Sequence, residues 1–139
     1  MDFLPYEHKA QYYETDQMGI IHHSNYIRWF EEARMDYMDK LGVPYKELED
    51  IGIISPTTEV NCKYKSMVRF GDTILIDMSI LEYNGIKLTI GYTITDKATG
   101  EIRSEGCSKH CFLDRSGKFV TLKKSSPKVH EAFENAKNM

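Results

Sequence analysis

The 139-residue sequence has few cysteines, no surplus of basic residues and no long apolar run. Its three cysteines are odd in number and lack a repeated close spacing, which predicts free thiols in a reducing compartment. With 18 Lys and Arg against 21 Asp and Glu, the net charge of −3 argues against binding to nucleic acid through its phosphates. No window approaches the ~18 apolar residues of a membrane span, and no apolar signal segment opens the chain. We therefore expect a cytoplasmic protein.

The remaining composition is that of an ordinary globule. Hydrophobic residues make up 41% and charged residues 28% of the chain. Because no repeat, low-complexity stretch or linker divides the sequence, residues 1–139 are expected to form one domain.

A long helix is predicted near the N-terminus, over 24–41. Its expected apolar face repeats at helical spacing, and Ser24 or Asn25 is expected to cap it. An extended segment over 6–14 precedes the helix, and a second, short helix over 43–50 follows it. The residues of the predicted apolar face are Tyr26, Phe30, Ala33, Tyr37 and Leu41.

The apolar period then changes to two, which is typical of half-buried antiparallel strands. Asn84-Gly85 is a strong hairpin signal between two of these strands. A short strand near Phe119 and a closing helix over 127–137 complete the pattern. The order predicts an α+β fold in which an antiparallel sheet wraps around one long helix. The predicted strands cover 58–65, 74–80, 88–94 and 101–113.

Reactive groups are concentrated between Tyr12 and Tyr26, where a strand gives way to the long helix. The stretch carries Asp16, Gly19, and the adjacent His22 and His23. A helix N-terminus offers unpaired N–H groups that can hold an oxyanion, and a nearby carboxylate could attack a carbonyl or activate water. From the residues alone, a turn or cap is the commoner role for an aspartate placed like Asp16 before a helix. Adjacent histidines without a third ligand do not predict a metal site.

The stretch resembles the 4-hydroxybenzoyl-CoA and YbgC-type acyl-CoA thioesterases of the hotdog-fold superfamily. Asp16, Gly19, His23 and Tyr26 stand at the intervals of that family's motif, followed by the Glu-x-Ala-Arg element over 31–34. Weaker matches fall at Tyr64 and over 69–73. The resemblance implies a hotdog fold and hydrolysis of a thioester to a free acid and a thiol.

The resemblance also implies roles for individual residues. Asp16 corresponds to the catalytic nucleophile or general base. His23 corresponds to the residue whose backbone N–H polarises the thioester carbonyl and whose side chain also takes part, and Tyr12 to a tyrosine lining the same pocket. The predicted substrate-binding residues are Gly19, His22, Tyr26, Glu31, Lys63, Lys65 and Lys87. Gly19 is expected to allow a tight turn and the close approach of the substrate. For His22, Tyr26 and Glu31 a purely structural role stays open.

The family implies no metal and no cofactor other than the coenzyme A of the substrate. It also implies a homodimer or homotetramer with the active site at the dimer interface. The hairpin over 82–87 departs from the member acting on 4-hydroxybenzoyl-CoA, because it has the single lysine Lys87 where that enzyme has a basic phosphate clamp. This departure leaves open an acyl-carrier-protein substrate, or contacts to the phosphates by Lys63, Lys65 or Lys109 instead. Two other functions also stay open: a non-catalytic thioester-binding protein and, less favoured, a structural oligomer with a vestigial motif.

Overall fold

The computed structural model describes residues 4–137. In the described part of the chain, a five-stranded sheet accompanies one long helix and three shorter ones. The strands are β1 (Tyr6–Lys9), β2 (Thr57–Tyr64), β3 (Thr73–Tyr83), β4 (Lys87–Asp96) and β5 (Ile102–Cys111), and the helices are α1 (Ser24–Lys40), α2 (Tyr45–Asp50), α3 (Leu122–Ser125) and α4 (Pro127–Lys137).

The sheet has the strand order β1-β3-β4-β5-β2, and each neighbouring pair is antiparallel. The hairpin between β3 and β4 turns at Asn84 and Gly85, as the sequence predicts. The Oδ1 atom of Asn84 accepts the N–H groups of Ile86 and Lys87, and Gly85 takes a φ of 91°. This φ lies in the left-handed region that glycine adopts without a steric cost. The tight turn joins β3 to β4, whose pairing begins at Tyr83 and Leu88.

The long helix α1 is confirmed, but its buried face differs from the predicted one. Tyr37 and Leu41 are only half-buried, whereas Trp29 and Met38 are fully buried. The buried face turns toward Trp29 because β1 also packs on this helix, with the rings of His8 and Trp29 4.9 Å apart. The sheet residues opposite α1 include Ile74, Ile76, Ile90, Tyr92 and Ile94.

One glycine sets how closely α1 and β2 approach the middle of the sheet. The Phe30 ring stacks on Tyr92 with ring centroids 4.2 Å apart. A Cβ atom on Gly106 of β5 would lie 2.2 Å from the carbonyl oxygen of Asn61 and 3.0 Å from the Phe30 ring. Because backbone cannot yield at such a distance, any side chain at position 106 would push β2 or α1 away from β5.

Several predicted boundaries are wrong. The extended segment ends at Lys9, and residues 12–14 form a short 3₁₀ helix instead. The position before α1 is His23 rather than Ser24 or Asn25, and neither of those two residues caps the helix with its side chain. The segment at Phe119 makes an isolated bridge to Leu113 rather than a strand, and α3 was not predicted. The closing helix over 127–137 is confirmed.

A chain of buried polar side chains crosses the core beneath α1. The ring of His110 is 1% exposed, and its Nε2 lies 2.7 Å from Ser108 Oγ, which lies 2.6 Å from the Tyr92 hydroxyl. On the other side, His110 Nδ1 lies 3.3 Å from Thr57 Oγ1. Burial, assisted by the positive charge of Arg34, lowers the pKa of His110 from 6.5 to about 3. The folded protein therefore keeps this imidazole neutral throughout the range in which the unfolded chain protonates it.

This burial predicts a loss of stability in mild acid. Between pH 6.5 and pH 3 the unfolded state binds a proton at His110 that the native state does not, so the free energy of unfolding should fall by roughly 1.4 kcal/mol per pH unit from this group. Urea unfolding at pH 7, 6 and 5 measures this slope. A His110→Asn variant, although less stable at pH 7, should show a shallower slope than the wild type. Equal slopes in the two proteins would contradict the assignment.

Candidate active site

Asp16 opens a tight turn in the connection between β1 and α1. Its carbonyl oxygen accepts the Gly19 N–H, and its Oδ1 atom accepts the Met18 N–H. The Asp16 N–H in turn donates to the Ile20 carbonyl oxygen, which closes the loop. Among the described residues, Oδ2 of Asp16 has no hydrogen-bond partner. Gly19 takes a φ of 78°, in keeping with its predicted role in the turn.

The N-terminus of α1 lies next to this turn, and His22 accepts one of the N–H groups at this helix end. The Nδ1 atom of His22 accepts the Ser24 N–H at 3.2 Å and lies 2.9 Å from Ser24 Oγ, while the His22 carbonyl oxygen accepts the Asn25 N–H. This is the hydrogen-bonding role of a helix cap, performed by an imidazole. The His23 N–H has no hydrogen-bond partner in residues 4–137, so it is a free donor at the positive end of the helix.

Asp16 and His23 open into one cavity of about 270 Å³. Its walls are mostly apolar, with Tyr26 buried at the helix side and Tyr64 on the edge strand β2. The Tyr64 hydroxyl donates a hydrogen bond of 3.0 Å to the His23 carbonyl oxygen, and the two tyrosine rings meet edge to face. Partial burial and the neighbouring Cys62 raise the pKa of Tyr64 to about 12, so this hydroxyl keeps its proton. The lining residues are Asp16, Met18, Ile20, Ile21, His23, Tyr26, Tyr64, Lys65, Ser66 and Met67.

Part of the predicted site lies elsewhere. The Tyr12 side chain is 75% exposed, meets the Phe70 ring edge to face and does not line the cavity. Glu31 sits two turns along α1 and pairs with Arg34 at 2.9 Å. Lys87 stands at the start of β4, opposite Cys111, and lines a separate cavity of about 520 Å³. Because the Tyr64 end of β2 pairs with the start of β5 at Ser104 and Lys87 pairs with its end, the two cavities lie at opposite ends of β5.

Two of the predicted substrate-binding lysines, Lys63 in β2 and Lys65 just after it, differ in their placement. Lys65 follows Tyr64, lines the cavity and pairs with Glu105 at 3.2 Å. Lys63 is exposed on the strand and does not line it. The sequence did not single out Met18 or Met67 as wall residues, because methionines carry no reactive group and their loops have no period from which orientation could be read.

The described residues contain no group of three His, Cys, Asp or Glu side chains arranged to hold a metal ion. In the same residues, no helix is long and apolar enough to cross a membrane.

Comparison with known proteins decides the family. Residues 11–134 match the family model of the thioesterase-like superfamily. The chain belongs to the thioesterase-like superfamily. This thioesterase has the hotdog fold, and its α+β architecture and its class as a thioester hydrolase were both predicted from the sequence.

Relatives and solved structures agree with the family. The thioesterase is 38% identical over 132 residues to YneP of Bacillus subtilis (strain 168), a protein assigned as an acyl-CoA thioesterase; the match covers 94% of this chain and 95% of YneP. Its structure is similar to that of a DHNA-CoA thioesterase from Staphylococcus aureus, with a TM-score of 0.91, 34% identity, and coverage of 96% and 89%. It is also similar to BH1999, a gentisyl-coenzyme A thioesterase, with a TM-score of 0.81, 26% identity, and coverage of 92% and 98%.

The cap at His22 can be tested separately from the reaction. His22→Ala removes the acceptor of the Ser24 N–H, so we expect the free energy of unfolding to fall by about 1 kcal/mol. In His22→Asn, the side-chain oxygen occupies nearly the position of Nδ1 and should retain most of that stability. Chemical denaturation of both variants measures the difference. An Asn variant as unstable as the Ala variant would show that the hydrogen bond at Nδ1 contributes nothing.

Gly19 is needed for its backbone rather than for space. A Cβ atom there would meet nothing within 4 Å among the described residues. No part of the described chain therefore approaches Gly19 closely enough to exclude a side chain. We expect Gly19→Ala to cost roughly 1–2 kcal/mol of stability through its left-handed φ, and Gly19→Asn to cost less, because Asn tolerates that region. Unfolding in urea compares the two. A Gly19→Ala protein as stable as the wild type would contradict the strain argument.

Proposed function

We propose that this enzyme hydrolyses an acyl-CoA thioester, with Asp16 as nucleophile or general base and the His23 N–H as the oxyanion donor. One observation carries the proposal. A carboxylate oxygen without a partner and a free N–H at the start of α1 open into the same apolar-walled cavity. These are the two groups that acyl transfer requires, one to deliver a nucleophile and one to stabilise the charge on the carbonyl oxygen.

The proposed reaction begins when the thioester carbonyl oxygen accepts the His23 N–H. The partial positive charge at the end of α1 then favours the negative charge that develops on this oxygen. Asp16 either attacks the carbonyl carbon or removes a proton from a water molecule that attacks it. The C–S bond breaks, the thiolate leaves and takes up a proton, and water supplies the oxygen of the free acid. The position of Asp16 is compatible with both routes.

The assembly and the branch of the family are part of the proposal. The cavity borders Tyr64 on β2, which is an edge strand of the described sheet. A second subunit placed against this edge would enclose the open side of the cavity, in keeping with a homodimer or homotetramer whose site lies at the subunit interface.

The motif around Asp16 supports a YbgC-like enzyme, and the free cysteines support a cytoplasmic location.

An acyl-CoA substrate is supported by the relatives and by one lysine at the cavity. YneP, the DHNA-CoA thioesterase and BH1999 are all named for CoA thioesters. Within the described residues of one chain, Lys65 is the lysine that lines the cavity, and Lys63 lies two positions earlier, near the end of β2. We propose that these two contact the phosphates of the coenzyme, and that Lys87 does so only from a neighbouring subunit. An acyl-carrier-protein substrate is the alternative that the test must separate.

The test is thiol release, measured with 5,5′-dithiobis(2-nitrobenzoate) on a panel of aliphatic and aromatic acyl-CoAs. We expect the wild type to turn over part of the panel and Asp16→Asn to lose at least about 100-fold in kcat, the contribution of a positioned base. The asparagine keeps an oxygen for the Met18 N–H, so the turn should survive and the loss should come from the chemistry. Wild-type kcat in Asp16→Asn would overturn the proposal.

The matched control is Asp114→Asn. Asp114 is also a turn aspartate, and its Oδ1 accepts the N–H groups of Ser116 and Lys118 far from the cavity. This variant should retain wild-type turnover, so a general effect of exchanging a turn carboxylate can be recognised. The same acyl group is then presented on acyl carrier protein. Turnover of the carrier-protein thioester but of no CoA ester would show that acyl carrier protein, not CoA, carries the substrate. Saturable binding without release of a thiol would show that the protein binds thioesters but does not hydrolyse them.

A further inference from the structure

Glu14 is a buried carboxylate that the proposed reaction does not use. It ends the 3₁₀ helix two residues before Asp16, and it is 5% exposed. Its Oε1 atom lies 2.9 Å from His8 Nε2 and accepts the Gln11 N–H at 2.8 Å, while Oε2 accepts the indole N–H of Trp29 at 2.7 Å. Partners in β1, in the turn before the 3₁₀ helix and in α1 therefore converge on one side chain. A buried charge is retained only where such partners replace water.

The hydrogen bonds also fix the ionisation of this carboxyl group. Burial alone would raise the pKa of Glu14, but the hydrogen bonds from His8, from the Gln11 backbone and from Trp29 outweigh it and hold the pKa below its usual value. The side chain is thus an acceptor with no proton of its own. Since a carboxylate only accepts hydrogen bonds, every group that hydrogen-bonds to it must be a donor.

The main chain of Glu14 is bound at the same place. Its carbonyl oxygen accepts the His22 N–H at 2.9 Å and the side-chain amide of Asn25 at 2.8 Å. Glu14 therefore contacts the chain on both sides of the Asp16 turn, before it through Gln11 and after it through His22 and Asn25. The segment from 15 to 21 is closed at its base by this one residue, with the Thr15–Ile21 bridge beside it.

We infer that Glu14 is a positioning residue that holds the Asp16 carboxylate at a fixed place relative to the N-terminus of α1 without touching the substrate. The inference rests on the proposed function, because it concerns the distance between the two groups assigned there. The indole of Trp29 belongs to the rigid, fully buried part of α1, so the hydrogen bond to Oε2 links the turn to the helix that carries the oxyanion donor. An error of about 1 Å in such a geometry can reduce a rate by about 100-fold.

The decisive variant is Glu14→Gln. It has nearly the same shape, but its amide nitrogen is a donor and must face another donor, either the Trp29 indole N–H or the pair of donors at Oε1. We expect kcat to fall by at least about 10-fold while KM changes by less than about 3-fold, because the cavity walls on α1 and β2 stay in place. Thiol release is measured at 25 °C, well below the melting temperature of each variant.

The matched control is Glu32→Gln. Glu32 lies 3.4 Å from the same histidine ring, through His8 Nδ1, and accepts the Tyr6 hydroxyl, but it is exposed and makes no contact with the turn. This variant should retain wild-type kcat. If Glu14 only stabilised the fold, Glu14→Gln would lower the melting temperature and leave kcat of the folded enzyme unchanged, and that result would overturn the inference.

A double variant separates this inference from the proposed function. If Glu14 acts through Asp16, adding Glu14→Gln to Asp16→Asn should lower kcat no further, whereas independent effects would multiply. Multiplying effects would overturn the inference and leave the proposed function intact. Full activity in Asp16→Asn alone would instead overturn the proposed function.

A second variant is needed if Glu14→Gln fails to fold. Trp29→Phe removes one donor and keeps the carboxylate. We expect a several-fold loss of kcat, and no loss would count against the inference.

Discussion

The burial of α1 against the inner face of the sheet is the contact on which the rest of the structure depends. Phe30 stacks on Tyr92, and Gly106 supplies the room that lets Phe30 and β2 approach β5 together. Both Trp29 and Phe30 are fully buried, and burying each large aromatic side chain contributes on the order of 2–3 kcal/mol. A helix held along so much of its length has a fixed N-terminus, and the proposed chemistry requires such a fixed point.

The connection from β1 to α1 covers residues 10–23 and is held by hydrogen bonds within it and to neighbouring elements. The Asp16 turn binds itself through Met18, Gly19 and Ile20, and His22 satisfies the first amide of α1. The groups without a hydrogen-bond partner among the described residues include Oδ2 of Asp16 and the N–H of His23, and both residues line the cavity. Unpaired polar groups are tolerated here because the cavity is open to water. The site thus consists of what the local hydrogen bonding leaves free, placed where a ligand can reach it.

The fold could be predicted from the sequence because its elements are strongly periodic. The helix over 24–40 and the strands with alternating apolar residues were found within a few positions, and the hairpin at Asn84 and Gly85 was located by turn chemistry. The cap could not be predicted, because imidazole is not a usual capping group and Ser24 and Asn25 are. Trp29 was not placed on the predicted apolar face of the helix, because its burial depends on β1, which packs on α1.

The site was predicted best where residues lie close together in the sequence. Asp16, His23 and Tyr26 share a turn and the first turn of one helix, so their spacing alone brings them to the cavity. Tyr12 has the same local spacing, but the 3₁₀ helix rotates its side chain outward toward Phe70. Lys87 and Glu31 were assigned by correspondence with a family, and only the packing of the sheet shows that both lie away from Asp16 in this chain. Tyr64 reaches the cavity through the pairing of β2 with β5, which no local pattern encodes.

Ser108 and His110 are a second pair of residues that could be mistaken for hydrolytic machinery. Their side chains are 2.7 Å apart, the distance of a nucleophile and its base. Two observations exclude that role. Ser108 is fully buried against Tyr92, so no carbonyl can approach it, and the pKa of His110 is lowered to about 3 by burial and by Arg34, so the imidazole is too weak a base at neutral pH. The proposed reaction therefore uses Asp16, which lines the open cavity beside His23, rather than this buried pair.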